Sequence, residues 1–166
     1  YIGACTGAKL ADLRAAAEVL KGRKVAAGVQ LLVAPASARD QAQAAKEGVM
    51  QILMDAGASV LPNACGACAG YGGTFEEGAT VISSTARNFQ GRMGPASVQV
   101  YLASPATVAA SALAGHIADV REVFEQKGLV LITQDDPSHD NVSLKVGHGE
   151  EQPFIYQVQM RGYFTP

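Results

Sequence analysis

Three cysteines are the residues of this chain with the most distinctive chemistry. The 166-residue sequence contains only Cys5, Cys65 and Cys68, and the last two are separated by two residues. Cysteine thiolates hold iron–sulfur clusters, usually one per iron in a cubane, so three thiolates would leave one iron open. A structural zinc site instead uses four protein ligands and is closed. The cysteines therefore suggest a metal cluster with one open position, and an open metal acts as a Lewis acid.

Other interpretations of the cysteines stay open on the residues alone. The closely spaced pair could be a redox pair of thioredoxin type, although such pairs begin a helix and glycines follow this one. A zinc site could take its fourth ligand from His116, His139 or His148. His116 is predicted late in an apolar helix, where a structural histidine is commoner. Cys5 could also be a small buried apolar residue unrelated to the pair.

Two arginines on one polar segment could bind a carboxylate. Arg87 and Arg92 lie five residues apart in a stretch that has no acidic residue of its own. A guanidinium presents a planar fork of donors that fits a carboxylate in bidentate fashion. The two could therefore hold a di- or tricarboxylic acid, although ordinary surface arginines would show the same pattern.

The elements that must position these residues alternate between helices and short apolar strands. The leucine spacing predicts a helix over Leu10–Leu20, and the apolar run Val29–Val33 predicts a buried strand. Further predicted elements are helices capped by Ser37 and Ser104 and over Val49–Ala56, and strands over Ser59–Leu61 and Thr80–Ser83. The alternation predicts an α/β fold with a mainly parallel sheet flanked by helices, whose ligands gather beyond the strand ends.

Composition and charge exclude several classes of function. The chain is 48% hydrophobic and 17% charged, with a formal net charge of -2 and a pI near 5.9, which is typical of a soluble globular protein without a nucleic-acid footprint. Its apolar runs are far shorter than the roughly 20 residues that span a bilayer. Three unevenly spaced cysteines do not make the disulfide framework of a secreted protein, so a cytoplasmic location is expected.

The sequence pattern changes near residue 128. Beyond it, strands are predicted over Leu129–Ile132 and Phe154–Val158, separated by polar and glycine-rich segments. We therefore expect one domain over residues 1–127 and an appended hairpin or linker over residues 128–166. The first residue is Tyr1 rather than Met, and Tyr1–Gly3 is typical of the tail of a buried strand, so a piece of a longer protein is expected.

Three segments of the chain resemble the aconitase superfamily, and most closely the cluster-bearing third domain of its isopropylmalate dehydratases. They are Tyr1–Gly7 with Leu10–Leu13, Pro62–Gly70, and Ser83–Arg92, and Ser104–Ala106 and Ala114–His116 continue the match. Two positions depart from the family pattern. The family usually has asparagine where this chain has Gly7, and often has asparagine where this chain has Ala86.

The resemblance implies both a cofactor and a reaction. By resemblance, Cys5, Cys65 and Cys68 would hold three irons of a 4Fe-4S cluster, and the fourth iron would bind the substrate. Arg87 and Arg92 match family arginines that contact substrate carboxylates. The implied enzyme is a hydro-lyase that isomerises a hydroxy di- or tricarboxylic acid by dehydration and rehydration.

The resemblance also implies partners beyond the small hydroxy-acid substrate. The family's other domains, or a small subunit, would supply the catalytic serine base, which has no counterpart in this chain. The chain alone is therefore expected to be inactive. Two alternatives are a non-catalytic carboxylate-binding or regulatory module of the same fold and a small zinc-binding structural domain.

Overall fold

Two compact units, Tyr1–Val120 and Arg121–Pro166, make up the computed structural model. It describes residues 1–71, 75–87, 89–125, 130–135, 142–148 and 151–157. The described helices are α1 (Leu10–Leu20), α2 (Ala38–Lys46), α3 (Val49–Ala56), α4 (Pro105–Ala114) and α5 (Val120–Glu125), with a 3-10 helix over Ala67–Ala69. The described strands are β1 (Leu32–Val33), β2 (Ser59–Val60), β3 (Thr80–Ser83), β4 (Gln99–Leu102), β5 (Val130–Asp135), β6 (Val142–His148) and β7 (Glu151–Gln157).

The strand-like segment Tyr1–Gly3 joins two pairs of parallel strands into one sheet. β1 pairs with β2, and β3 pairs with β4, in parallel in both cases. On one side of the segment, the Ile2 amide donates to the Leu32 carbonyl and the Ile2 carbonyl accepts from the Ala34 amide, both at 2.8 Å. On the other side, Tyr1 makes the equivalent two bonds to the end of β3. The spatial order is therefore β2, β1, Tyr1–Gly3, β3, β4, and the predicted parallel α/β fold is confirmed.

The helices form where the sequence carries local start signals. The Ser37 hydroxyl accepts a hydrogen bond from the Asp40 amide at the start of α2, and the Ser104 hydroxyl accepts one from the Thr107 amide at the start of α4. α1 packs against α2, α3 and α4. Its buried side includes Leu13 and Leu20, which are fully enclosed. In the chain, α1 begins directly after the segment that carries Cys5.

Two sequence expectations about the first unit need correction, and one strand was missed. The strand predicted over Val29–Val33 is shorter than expected, since β1 covers only Leu32–Val33. His116 does not lie in an apolar helix, because α4 ends at Ala114 and Gly115 adopts a positive φ of 82° that terminates it, leaving His116 exposed. β4 was not predicted at all. Its side chains are mostly exposed, so it lacks the apolar run by which a buried strand is recognised.

The second unit is built differently from the first. β5, β6 and β7 form an antiparallel sheet with β6 in the centre and an irregularity in register between Val146 and His148. The predicted strands near residues 129–132 and 154–158 overlap β5 and β7, although Leu129 and Val158 lie outside the described residues, as does His139. β6 was not predicted, and the expected boundary at residue 128 stays a prediction. In the described part of the chain, no helix has the length and apolar character needed to cross a bilayer.

Candidate metal centre

All five predicted site residues lie on loops at the carboxyl ends of the parallel strands. The Cys5 loop (residues 4–9) follows Tyr1–Gly3, and the paired-cysteine loop (residues 61–71) follows β2. The arginine loop (residues 84–98) follows β3. Because parallel strands end at one edge of a sheet, the three loops share that edge. Ligands of open α/β sheets bind at this edge, where the strand order reverses, and here the reversal falls between Tyr1–Gly3 and β3.

The three cysteines lie close enough for Cys5 and Cys65 to affect the pKa of Cys68, but they differ in exposure. Cys5 and Cys65 are exposed, whereas Cys68 is only 5% exposed on the 3-10 helix. Burial raises the pKa of the Cys68 thiol, the neighbouring Cys65 and Cys5 raise it further, and the Arg92 guanidinium opposes the rise. The fold therefore brings together Cys5 and Cys65, which are separated by 59 residues of sequence. The alternative that Cys5 is a buried apolar residue is wrong.

The thiols do not form a finished coordination sphere for one ion. Among the described residues, no group of three or more His, Cys, Asp or Glu side chains is arranged to hold a single metal ion. The Cys65 thiol is nevertheless near enough to raise the pKa of the Cys68 thiol. A cluster of several irons occupies more space than one ion, so its ligands stand further apart. The donor set, three thiols at one edge with two of them exposed, fits a group of that kind.

The two arginines of the arginine loop are not equivalent. Arg92 is half-buried, and its Nε donates a hydrogen bond to the Cys68 carbonyl at 2.9 Å. Its guanidinium carbon also lies 5.9 Å from the centre of the Phe89 ring. Arg87 is exposed. Arg92 therefore ties the arginine loop to the paired-cysteine loop, a difference that the sequence did not reveal.

Ser84 ties the arginine loop to the Cys5 loop. Its hydroxyl donates to the Gly7 carbonyl at 2.7 Å and accepts from the Gly3 amide at 3.1 Å. Gly7 lies so close that a Cβ there would overlap the Ser84 backbone carbonyl. A larger side chain would collide with Ser84 unless the loops moved apart, so the glycine allows the close approach of the two loops.

Tyr1 covers the buried side of the paired-cysteine loop. The Tyr1 side chain packs in one buried cluster with Ala4, Ala67 and Cys68. Its hydroxyl has no hydrogen-bond partner among the described residues. Burial, followed by the effect of Cys68, raises the pKa of the Tyr1 phenol. A protonated phenol thus faces the least exposed of the three thiols.

Sequence reasoning did not identify Ser84 or Tyr1 as site residues. The hydrogen bonds of Ser84 join positions that are 77 and 81 residues apart, and Tyr1 packs within a buried cluster. No local sequence pattern indicates contacts of this kind. Ser84 stands in a polar stretch, and Tyr1 in an apolar strand, as many residues without a special role do. The family pattern at Gly7 was the one available signal, because it marked a position where this chain differs.

Comparison with known proteins assigns the first 115 residues to one family. The model of the aconitase family (aconitate hydratase) matches residues 1–115. The chain is 50% identical over 127 residues to the 3-isopropylmalate dehydratase large subunit of Mycolicibacterium smegmatis, covering 76% of this chain and 30% of that protein. It is 50% identical over 123 residues to 3-isopropylmalate dehydratase large subunit 2 of Archaeoglobus fulgidus, covering 74% and 30%.

A relative with a different printed name is nearly as similar. The homoaconitase large subunit of Thermus thermophilus is 46% identical over 128 residues, covering 76% of this chain and 31% of that protein. The chain therefore spans less than a third of the length of these relatives. Because the family model covers most of the chain and the three cysteine and arginine loops lie within it, this chain belongs to the aconitase family.

Proposed function

We propose that this chain is the cluster-bearing part of a hydro-lyase that dehydrates and rehydrates a hydroxy di- or tricarboxylic acid. The observation that carries the proposal is the convergence of Cys5, Cys65 and Cys68 on one sheet edge, with Arg92 beside them. Relatives that are about half identical are named 3-isopropylmalate dehydratase large subunit, which supports an isopropylmalate-like substrate.

The three cysteines would hold a 4Fe-4S cluster through their thiolates. When bound, a cluster with one iron free of protein ligands supplies a Lewis acid that polarises the hydroxyl group that leaves. Cys5 and Cys65 offer exposed sulfurs, and Cys68 offers a sulfur that is shielded from water. Because the pKa of Cys68 is raised, this thiol is protonated at neutral pH, and metal binding there would release a proton.

Arg87 and Arg92 would orient the substrate through its carboxylates. The Nε of Arg92 is already bound to the Cys68 carbonyl, so its terminal nitrogens are the ones that a carboxylate would meet. Arg87 reaches solvent and would take a second carboxylate.

The remaining parts of the enzyme would come from elsewhere. The relatives are called large subunits, and the matched segment is less than a third of their length, which supports a small subunit and further domains as partners. Those partners would supply the base that removes a proton from carbon, because no residue of the three loops is assigned that role.

Anaerobic loading of the 166-residue chain with iron and sulfide tests the cofactor. The expected product is brown and holds iron and sulfide in equal amounts. Alanine variants of Cys5, Cys65 and Cys68 should each lose most of the iron. A colourless chain that takes up one zinc ion per molecule under the same conditions would overturn the proposal and favour a zinc-binding domain.

Substrate binding is tested separately by calorimetry with isopropylmalate on the loaded chain. Arg87→Met and Arg92→Met should each weaken binding about tenfold or more, because a charge-assisted hydrogen bond is lost. Arg39→Met, at an exposed arginine on α2, is the matched control and should change nothing. Binding without turnover, even after a small subunit and the missing domains are supplied, would favour a non-catalytic module.

A further inference from the structure

The buried hydroxyl of Tyr1 lacks a partner at a place where one is expected. The Tyr1 side chain is 5% exposed, and its hydroxyl oxygen has no hydrogen-bond partner among the described residues. Buried polar groups nearly always have such a partner, because an unsatisfied donor loses its bonds to water without compensation. A donor left unsatisfied beside a candidate metal centre suggests that the missing acceptor belongs to the metal-bound form.

The neighbours of the hydroxyl indicate which acceptor that is. Tyr1 and Cys68 pack in the same buried cluster, so the Cys68 sulfur is a candidate acceptor close to the phenol. A protonated thiol is a weak hydrogen-bond acceptor. Deprotonation on metal binding turns the same sulfur into a charged acceptor, for which hydrogen bonds are stronger.

We propose that the Tyr1 hydroxyl donates a hydrogen bond to the Cys68 sulfur when that sulfur is a metal-bound thiolate. The inference rests on the proposed function, in which the three cysteines hold a 4Fe-4S cluster. Hydrogen bonds to the sulfur ligands withdraw electron density from such a cluster and raise its reduction potential. Tyr1 is thus a positioning residue that acts through Cys68, not a catalytic residue.

Tyr1→Phe tests this proposal because it removes the hydroxyl and keeps the ring. In the metal-free chain no hydrogen bond is lost, so the urea midpoint of unfolding should stay the same or rise. After anaerobic loading with iron and sulfide, the variant should hold as much iron as the wild type. The reduction potential of its cluster, measured by a titration followed by electron paramagnetic resonance, should shift to more negative values.

Tyr101→Phe is the matched control. The Tyr101 hydroxyl lies on β4 and bonds the Gln99 side chain at 3.2 Å, with no cysteine involved. Its removal should leave the potential of the cluster unchanged.

Two results would overturn the role of Tyr1. One is a cluster potential in Tyr1→Phe equal to that of the wild type. The other is a lower urea midpoint, or failure to fold, in the metal-free variant, since either would reveal an ordinary structural hydrogen bond. Failure of the wild-type chain to take up iron is a different outcome, because it overturns the proposed cofactor and with it the acceptor that Tyr1 would serve.

Discussion

The Cys5 loop and the paired-cysteine loop present the same kind of side chain but are fixed by different means. The Cys5 loop is held through its backbone. The Ser84 hydroxyl bonds the Gly7 carbonyl within the loop and the Gly3 amide just before it, while Cys5 itself is exposed. The paired-cysteine loop is fixed by one of its own thiols, since Cys68 is buried in the core and its carbonyl is held by Arg92. A candidate metal ligand can therefore be an exposed side chain, as Cys5 is, or a side chain that packs in the core, as Cys68 does.

Glycine substitutions give the largest expected difference between the two loops. Gly7→Ala should lower the free energy of unfolding by about 3 kcal/mol, because the new methyl group would overlap the Ser84 backbone and neither loop can move easily. Gly66→Ala, in the paired-cysteine loop, is the matched control. No atom lies within 4 Å of the added carbon, and the Gly66 backbone angles are φ -61° and ψ -91°, so the cost should stay at about 1 kcal/mol or less. Urea unfolding of the metal-free chain measures both, and equal values would refute the difference.

Serine substitutions at the cysteines come next in size. Cys68→Ser should cost about 2 kcal/mol of stability in the metal-free chain, since it buries a hydroxyl in an apolar cluster. Cys5→Ser should cost less than about 0.5 kcal/mol, because Cys5 is exposed. Both variants should lose iron equally. Urea unfolding of the metal-free chain is therefore the measurement that separates the contribution of Cys68 to stability from its proposed role as a ligand. A Cys5→Ser variant as unstable as Cys68→Ser would show that the contrast between the loops is wrong.

Removal of the arginine side chains should have a smaller effect. Arg92→Met should lower the free energy of unfolding by about 1 kcal/mol, because the Cys68 carbonyl loses its hydrogen bond. Arg87→Met removes an exposed side chain, so the midpoint of urea unfolding should hardly change. If the two variants had the same stability, Arg92 would have no part in holding the paired-cysteine loop.

The smallest expected effect is on the pH dependence of stability. Burial and the neighbouring cysteines raise the pKa of Cys68 in the folded chain above its ordinary value of 9.0. As the pH rises, the Cys68 thiol loses its proton at a lower pH in the unfolded chain than in the folded chain. The resulting stabilisation of the folded chain is complete below about pH 9 and is lost as the pH rises towards the raised pKa. Between about pH 8 and 9.5, the free energy of unfolding of the wild type, measured with urea, should fall by less than about 1 kcal/mol.

Cys68→Ala should remove this contribution to the decline, whereas Cys5→Ala should leave most of it in place. A decline that is the same in the wild type and in Cys68→Ala would mean that another group titrates.

The sequence predicted the helices well, whereas the identity of the metal ligands stays a prediction. α1 and α3 begin and end at the predicted residues because their signals, a leucine spacing and the flanking glycines, lie within each segment. The strand before Cys5 and the strands β2 and β3 were predicted for the same reason. The cysteines and arginines were recognised from residue type and spacing, which is where their chemistry resides.

The contacts that position those residues could not be predicted in this way. Ser84 meets Gly7 across 77 residues, and Tyr1 reaches Cys68 only because β1 and β3 lie on either side of its own strand. The bond from Arg92 to the Cys68 carbonyl likewise depends on the path of two loops. Such contacts follow from the strand order, and no local pattern carries that information.

The central place of Tyr1–Gly3 in the sheet has a consequence for the order of folding. This segment is synthesised before β1 and β3, yet its pairing with Ile82 spans 81 residues. Contacts of such long range form slowly, because the intervening chain must be ordered first. The sheet is therefore completed at its middle, and Cys5 reaches its final position only after β3 and Ser84 have arrived. Loading of the proposed cluster should consequently follow folding of the sheet.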